Sequence, residues 1–170
     1  MNCLVIVDMQ EGFMNESTEH LKDKLISFLK DKGDFFDFTV ATRYVNHENT
    51  ACSKFEGWYE CMEGSDGVQL VDGLFDIFRI FDKDKYSCYN SEFKEFLEEN
   101  GIDELYFVGV NTGCCVLHSA FDTYNDLIST YVIEDLCGST SGKYSHDCAI
   151  QVLKECITEQ RVINSSTIRK

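Results

Sequence analysis

Positive charge is scarce in this chain, and proline is missing altogether. The 170 residues include 15 Lys and Arg against 30 Asp and Glu, which gives a formal net charge of -15. Binding to a phosphate backbone or to an anionic lipid surface depends on clustered positive charge, so neither nucleic acid nor a membrane surface is expected as a partner. The acidic residues are spread over amphipathic segments, which is typical of a solvated surface.

The cysteines lack the spacing of a metal site or of a disulfide scaffold. There are nine, an odd number, and Cys3, Cys88, Cys137 and Cys156 lie within or beside apolar runs, as buried thiols do. No CxxC pair occurs, whereas structural zinc sites use closely spaced ligand pairs. The sequence therefore predicts reduced cysteines, no structural metal and a cytoplasmic protein.

Long hydrophobic runs are also absent. The first apolar run, Leu4 to Val7, is too short for a signal-peptide core, and no later run approaches the length of a membrane span. We expect a soluble protein. With 44% hydrophobic residues, the chain is long enough to bury one core and too short for two, so residues 1–170 are predicted to form one domain.

Short apolar runs recur along the chain, with helical patterns between them. Strands that are apolar on both faces and separated by helices indicate a parallel sheet that is covered on both sides. We predict an α/β fold, a three-layer α/β/α sandwich around a central, mainly parallel six-stranded sheet. The predicted strands are Leu4 to Val7, Phe36 to Ala41, Ile77 to Phe81, Leu105 to Val110, Tyr131 to Ile133, and Val162 to Ile163.

Apolar side chains at helical spacing occupy three of the intervening segments. They are Leu21, Leu25, Phe28 and Leu29; Phe93, Phe96 and Leu97; and Ala149, Leu153, Cys156 and Ile157. One long irregular stretch, from about residue 46 to residue 73, contains the only tryptophan, Trp58. Loops of that length in a compact domain tend to bind ligands.

Three residues with chemical potential follow strands of the predicted sheet. Asp8 follows the first strand, Lys83 the third and Cys115 the fourth. Ligands of such sheets bind beyond the carboxyl ends of the strands, so these side chains are the first candidates for an active site. Each has a simpler explanation: a carboxylate that caps a turn, an exposed charge and a buried helix cysteine. Their coincidence at successive strand ends favours a site.

Cys115 is predicted to start a helix after a turn that contains Gly109 and Gly113. At a helix N-terminus, the dipole and the free backbone N–H groups favour a thiolate and can hold a developing oxyanion. Lys83 would stabilise the thiolate further, and Asp8 would accept the thiol proton and return it to a leaving amine.

Three motifs resemble the isochorismatase-like cysteine hydrolases. LVIVDMQEGF at residues 4–13 resembles that family's first strand with its DxQ pattern, KDKYSCY its lysine segment, and GVNTGCCVLHSAFD its nucleophile segment. Matching segments extend to EDLCGS, near residue 137. The resemblance implies a Rossmann-like α/β fold and assembly into a dimer or tetramer.

The resemblance also implies a role for each candidate residue. Asp8 would be the general acid and base, Lys83 the stabiliser of the thiolate and transition state, and Cys115 the nucleophile. Lys85 and Cys114 are the neighbouring alternatives. The spacing to Tyr86, Ser87 and Tyr89 matches the family's pattern and favours Lys83, and the family's cysteine directly precedes a valine, as Cys115 does.

The family's nucleophile loop implies a cis peptide bond between Val110 and Asn111. The backbone amides of Asn111 and Cys115 would then point into an oxyanion site. Phe13, Trp58, Tyr89 and Asn111 are the candidate substrate-binding residues, although core packing is the alternative for each aromatic side chain, and for Trp58 the two interpretations are even. Arg43 would pair with a substrate carboxylate or, as the safer interpretation, with surface acids.

Family members that have the cysteine hydrolyse carbon–nitrogen bonds, so the resemblance implies hydrolysis of a small amide or ureido compound through a thioester. Nicotinamidases, the runner-up, hold a metal with an Asp-x-His motif and a second histidine. Here the segment after Thr42 is RYVNHEN, and His47 has no partner before His118. We therefore predict no bound metal and no cofactor.

Two hypotheses from other classes remain. A catalytically idle ligand-binding relative would share the fold, because a fold does not imply activity. A thiol redox protein would use Cys114 and Cys115 as a pair, but adjacent cysteines at a helix start reach disulfide geometry only with strain.

Overall fold

A six-stranded sheet forms the centre of the computed structural model, which describes residues 1–169. Every strand pairing is parallel, and the order across the sheet is β3-β2-β1-β4-β5-β6. This confirms the predicted sheet. The strands are β1 (Asn2–Val7), β2 (Phe38–Tyr44), β3 (Arg79–Lys83), β4 (Glu104–Val110), β5 (Ser129–Gly138) and β6 (Val162–Ile163).

The α-helices cover both faces of the sheet. Helix α1 (His20–Lys32) packs on one face, and α2 (Ser91–Glu99), α3 (Leu117–Asn125) and α4 (Lys143–Cys156) pack on the other. This arrangement confirms the three-layer sandwich.

Alternation along β1 explains why this strand lies inside the sheet. Cys3, Val5 and Val7 belong to the core beneath α2, α3 and α4, while Leu4 and Ile6 belong to the core beneath α1. All five side chains are fully buried. Burying an aliphatic side chain of this kind contributes about 1.5–3 kcal/mol, so a strand that is apolar on both faces is stable only between two helical layers.

Polar residues at strand ends shift the boundaries from those expected. β2 continues through Thr42 and Arg43 to Tyr44, where the apolar run had indicated an end at Ala41. The register with β1 and β3 maintains the strand over these residues. β3 likewise ends on Lys83, so this side chain belongs to the last residue of the strand.

The strand order reverses direction between β1 and β4. From β1 the chain builds outward through β2 to β3, and it then returns to place β4 against the other side of β1. The loops after β1 and β4 therefore diverge, which leaves a crevice at the carboxyl end of these two strands. Among residues 1–169, no helix is both long enough and apolar enough to cross a membrane.

Candidate active site

Asp8 lies at the base of the crevice, directly after β1, and is fully buried. Its backbone has a positive φ of 47°, which turns the chain sharply at the end of the strand. The Thr42 hydroxyl donates to Asp8 Oδ1 at 2.6 Å and accepts the Asp8 amide N–H at 3.2 Å. Thr42 thereby fixes one carboxylate oxygen and leaves the other to face Lys83.

Lys83 reaches Asp8 across the end of β2. Its Nζ lies 2.7 Å from Asp8 Oδ2, and its side chain is 2% exposed. Nζ also donates to the carbonyl of Lys85 at 3.1 Å and lies 5.2 Å from the centre of the Tyr44 ring. Of the two lysines considered from sequence, the structure thus brings the side chain of Lys83 to Asp8, while Lys85 contributes a backbone carbonyl.

The charge on Lys83 is stabilised by its neighbours. Burial by itself disfavours the ammonium form, but the negative charge of Asp8 and its hydrogen bond to Nζ outweigh burial and raise the pKa of Lys83. The side chain therefore stays protonated in a place from which water is excluded.

Cys115 lies in a single π-helical turn, Thr112–Val116, that leads directly into α3. It is 3% exposed, and Asp8 and Lys83 lie close enough to change the pKa of its thiol. The structure therefore brings together the three residues that follow β1, β3 and β4.

Burial raises the pKa of the Cys115 thiol well above its ordinary value, and the charge of Asp8 raises it further, whereas Lys83 lowers it. This shift favours the thiol and opposes the thiolate expected at a helix N-terminus, so attack by the sulfur calls for an acceptor of the thiol proton.

The peptide bond between Val110 and Asn111 is cis, as the resemblance implied. The Asn111 side-chain oxygen accepts the Thr140 amide N–H at 2.7 Å, which joins the loop after β4 to the loop after β5. Asn111 and Thr140 line the same cavity as Cys115.

That cavity has a volume of about 610 Å³ and opens above the Cys115 sulfur. Aromatic rings form one side of it: Phe13 stacks on Trp58 with ring centres 5.3 Å apart, and Tyr44 lies 5.9 Å from Trp58. Three acidic residues, Glu11, Glu56 and Glu60, lie at its exposed rim. No Lys, Arg or His is among the described residues that line it.

Three of the four predicted substrate-binding residues, Phe13, Trp58 and Asn111, line the cavity. Both interpretations of Trp58, core packing and lining of the substrate site, apply, since it packs on Phe13 and also lines the cavity. Tyr89 does not line it. Its ring lies under the Lys94 ammonium at 4.2 Å, because the chain turns away at Asn90, the N-cap of α2.

Tyr86, three residues earlier, lines the cavity instead of Tyr89. Its hydroxyl donates to Glu56 at 2.7 Å, and this contact, together with burial, raises the pKa of Tyr86. The spacing that selected Lys83 fits both Tyr86 and Tyr89. The two differ in the direction that the chain takes before α2.

Sequence reasoning also missed Thr42, Tyr44 and Gln10. The Gln10 side chain is fully buried and binds the backbone of Tyr44 through both its oxygen and its nitrogen, at 2.7 and 3.0 Å. It also donates to the Val68 carbonyl at 3.1 Å. The rule that selected Asp8, which is to inspect the residues at strand ends, would have found Thr42 and Tyr44 had it been applied to β2, and Gln10 had it been extended two residues beyond Asp8.

The histidines considered as metal ligands lie elsewhere. His47 Nε2 faces Asp84 at 3.5 Å in an exposed pair, and His118 Nδ1 contacts the Cys114 carbonyl at 2.8 Å. Within residues 1–169, no group of three or more His, Cys, Asp or Glu is placed to hold an ion. The residues after β2 therefore do not fit a pocket metal of the kind that an Asp-x-His motif provides.

The structure also shows the partner of Arg43 and the free thiols of the neighbouring pair Cys114 and Cys115. Arg43 forms two hydrogen bonds with Asp82, at 2.7 and 2.9 Å, so it pairs with a surface acid. Cys114 and Cys115 are both free thiols, as are the other seven cysteines.

A buried acid, a buried lysine and a cysteine at the switch point of a parallel sheet define an α/β hydrolase of the cysteine type. Comparison with known proteins agrees: the Isochorismatase domain model matches residues 2–163. The chain belongs to the isochorismatase family, and it is a hydrolase that acts on amide carbon–nitrogen bonds.

Relatives with solved structures or curated functions include amide hydrolases. A nicotinamidase of Acinetobacter baylyi is 27% identical over an alignment of 173 positions, which spans 80% of this chain and 81% of the relative. An isochorismatase-like hydrolase from Alkaliphilus metalliredigens superposes with a TM-score of 0.83 at 19% identity, covering 98% of this chain and 96% of the other. PnC1 from L. infantum, in complex with nicotinate, also gives 0.83, at 24% identity, with coverage of 99% and 94%.

Proposed function

We propose that this chain hydrolyses a small neutral or positively charged carboxamide through a thioester on Cys115, without a metal. The observation that carries the proposal is the contact of Lys83 with Asp8 at 2.7 Å, with both residues acting on Cys115, which lines a cavity of about 610 Å³. One residue is thus present for each step that amide hydrolysis requires.

In the first step, Asp8 accepts the thiol proton as the Cys115 sulfur attacks the carbonyl carbon. A sulfur–carbon bond forms, and the carbonyl electron pair moves to the oxygen. When the carbon–nitrogen bond breaks, Asp8 passes the proton to the departing nitrogen, which leaves as ammonia or an amine. The raised pKa of the thiol makes this transfer necessary, and the Lys83 ammonium stabilises the negative charge that it creates.

In the second step, a water molecule hydrolyses the thioester. Asp8 takes one proton from the water as the water oxygen attacks the carbonyl carbon of the thioester. The sulfur–carbon bond then breaks, and the carboxylic acid is released. The proton then returns to the sulfur. The backbone amides of Asn111 and Cys115 are the proposed donors to the oxygen in both steps.

The charge of the cavity supports a neutral or cationic substrate. Glu11, Glu56 and Glu60 lie at its rim, no described lining residue is basic, and Arg43 is engaged by Asp82. A ureido acid would bring its carboxylate into this negative field, so an amide without a carboxylate is favoured. The stacked rings of Phe13 and Trp58 suit a flat aromatic amide, which keeps nicotinamide as the second candidate.

Three substrates that share a benzamide core and differ in the charge of the group at the para position test the proposal. Ammonia release is measured from benzamide, 4-(aminomethyl)benzamide and 4-carbamoylbenzoate, with nicotinamide alongside and with and without EDTA. We expect kcat/KM for the cation to exceed that for the anion roughly tenfold at low salt and less at high salt, because exposed charges are screened. Glu56→Gln should reduce the difference in kcat/KM between the cation and the anion.

Cys115→Ala should abolish ammonia release, and Cys156→Ala, at an exposed cysteine, is the matched control. Loss of activity in EDTA that zinc restores would contradict the metal-free mechanism. Faster turnover of the anion would contradict the proposed preference for neutral or cationic amides but not the cysteine mechanism. The absence of turnover on every amide, in a folded protein, would contradict the catalytic proposal.

A further inference from the structure

The side chain of Asn46 is central to the long loop that follows β2. Asn46 is fully buried two residues beyond the end of the strand, and its Nδ2 donates to the carbonyls of Trp58 and Glu60 at 2.9 and 3.1 Å. Both of those residues line the cavity. One side chain therefore connects the end of the sheet to the outer wall of the cavity.

Two hydroxyl groups fix the orientation of this amide. Thr50 and Ser53 donate to Asn46 Oδ1 at 2.5 and 2.9 Å, so the oxygen faces the hydroxyls and the nitrogen faces the two carbonyls. An amide in this position uses both donors and its acceptor, and an aspartate or an alanine cannot do the same. The arrangement is specific for asparagine.

The backbone of Asn46 makes separate bonds to the same loop. Its amide donates to the Cys61 carbonyl at 2.8 Å, and its carbonyl accepts the Glu63 amide N–H at 2.9 Å. A side-chain substitution leaves these bonds in place. It therefore removes the bonds from the Asn46 amide to the carbonyls of Trp58 and Glu60, while the later part of the loop stays attached to the sheet. Trp58 remains held by its own N–H bond to the Cys52 carbonyl at 3.0 Å and by the Ser53 hydroxyl at 3.4 Å.

We infer that Asn46 is a positioning residue for substrate binding: it holds Trp58 against Phe13 and so sets the width of the cavity. The inference rests on the proposed function only in that the cavity is taken as the substrate site.

The test uses Trp58 itself, because it is the only tryptophan and its fluorescence reports the wall directly. In Asn46→Ala we expect the emission to shift to the red and acrylamide quenching to increase. With benzamide, KM should rise about tenfold while kcat changes less than about threefold, since the lost bonds hold the wall and not the reacting groups. Asn49→Ala, at an exposed asparagine of the same loop, is the matched control.

A second variant, Asn46→Asp, covers the case in which the alanine variant fails to fold. It keeps the size and the acceptor but places a carboxylate oxygen against the carbonyls of Trp58 and Glu60, so the emission should shift in the same direction. The inference is overturned if Trp58 emission and KM stay at wild-type values in the folded variant. It is also overturned if kcat falls in proportion to the rise in KM, which would indicate a general structural role. Unshifted Trp58 emission contradicts the inference even where no amide is hydrolysed, so its failure is distinct from failure of the catalytic proposal.

Discussion

Lys83 and Asp8 act oppositely on the Cys115 thiol. The negative charge of Asp8 raises the pKa of the thiol, as burial does, while the ammonium of Lys83 lowers it. The sequence analysis expected the effect of Lys83, whereas the opposing effect of Asp8 depends on how close the strand ends bring it to the thiol. Burial opposes the thiolate that the helix N-terminus had indicated.

Removing the positive charge tests this balance. In Lys83→Met, the pKa of Cys115 should rise further, because only burial and Asp8 then act on it. The fraction of thiolate at neutral pH falls, so alkylation of Cys115 by iodoacetamide, followed on its peptide by mass spectrometry, should slow about tenfold or more. The rate of alkylation in Lys83→Met should increase only at a higher pH than in the wild type.

Lys85→Met is the matched variant, since it removes an exposed side chain and keeps the carbonyl that accepts from Lys83. Its alkylation profile should shift far less. If the two variants have the same profile, Lys83 does not stabilise the thiolate.

At the scale of the elements, β4 and the turn after it place the nucleophile. β4 shifts register against β5 between Phe107 and Gly109, and Gly109 has a φ of 109°. A Cβ at this position would lie 2.1 Å from the Val7 carbonyl oxygen of β1. Only glycine permits both the backbone conformation and the close approach of β1.

Gly109→Ala should therefore destabilise the protein by more than about 2 kcal/mol, because strained backbone and a clash with main-chain atoms add together. The free energy of unfolding, measured by urea denaturation, checks this value. Gly33→Ala is the control, since nothing lies within 4 Å of a Cβ built there and its φ is helical. Equal stability of the two variants would contradict the role of Gly109.

The sequence allowed the strands and helices to be located well where apolar residues are periodic. It failed where the backbone is set by contacts, as in the π-helical turn at Thr112–Val116 and the attachment of the 46–73 loop through Asn46. A polar residue inside a loop gives no signal of its partners. Tyr86 and Tyr89 both fit the motif, and the spacing gave no signal that Tyr86 is the one that lines the cavity.

Across the whole molecule, the order of the strands determines the site. Asp8, Lys83 and Cys115 are far apart in sequence, and they meet because β1 lies beside β4 on one side and beside β2, then β3, on the other. The parallel sheet predicted from apolar runs places all carboxyl ends at one edge, so the meeting of the three residues followed from the fold class. Assembly into a dimer or tetramer and a cytoplasmic location stay predictions.

The thioester on Cys115 is the central claim, and trapping it is the most direct test. Enzyme mixed with benzamide is quenched in acid during turnover and digested. The mass of the peptide that contains Cys115 is then measured by mass spectrometry. The account predicts an added benzoyl group on Cys115, in the presence of EDTA as well as in its absence, and none in Cys115→Ala. Continued release of ammonia by Cys115→Ala, with no acylated peptide in the wild type, would contradict it.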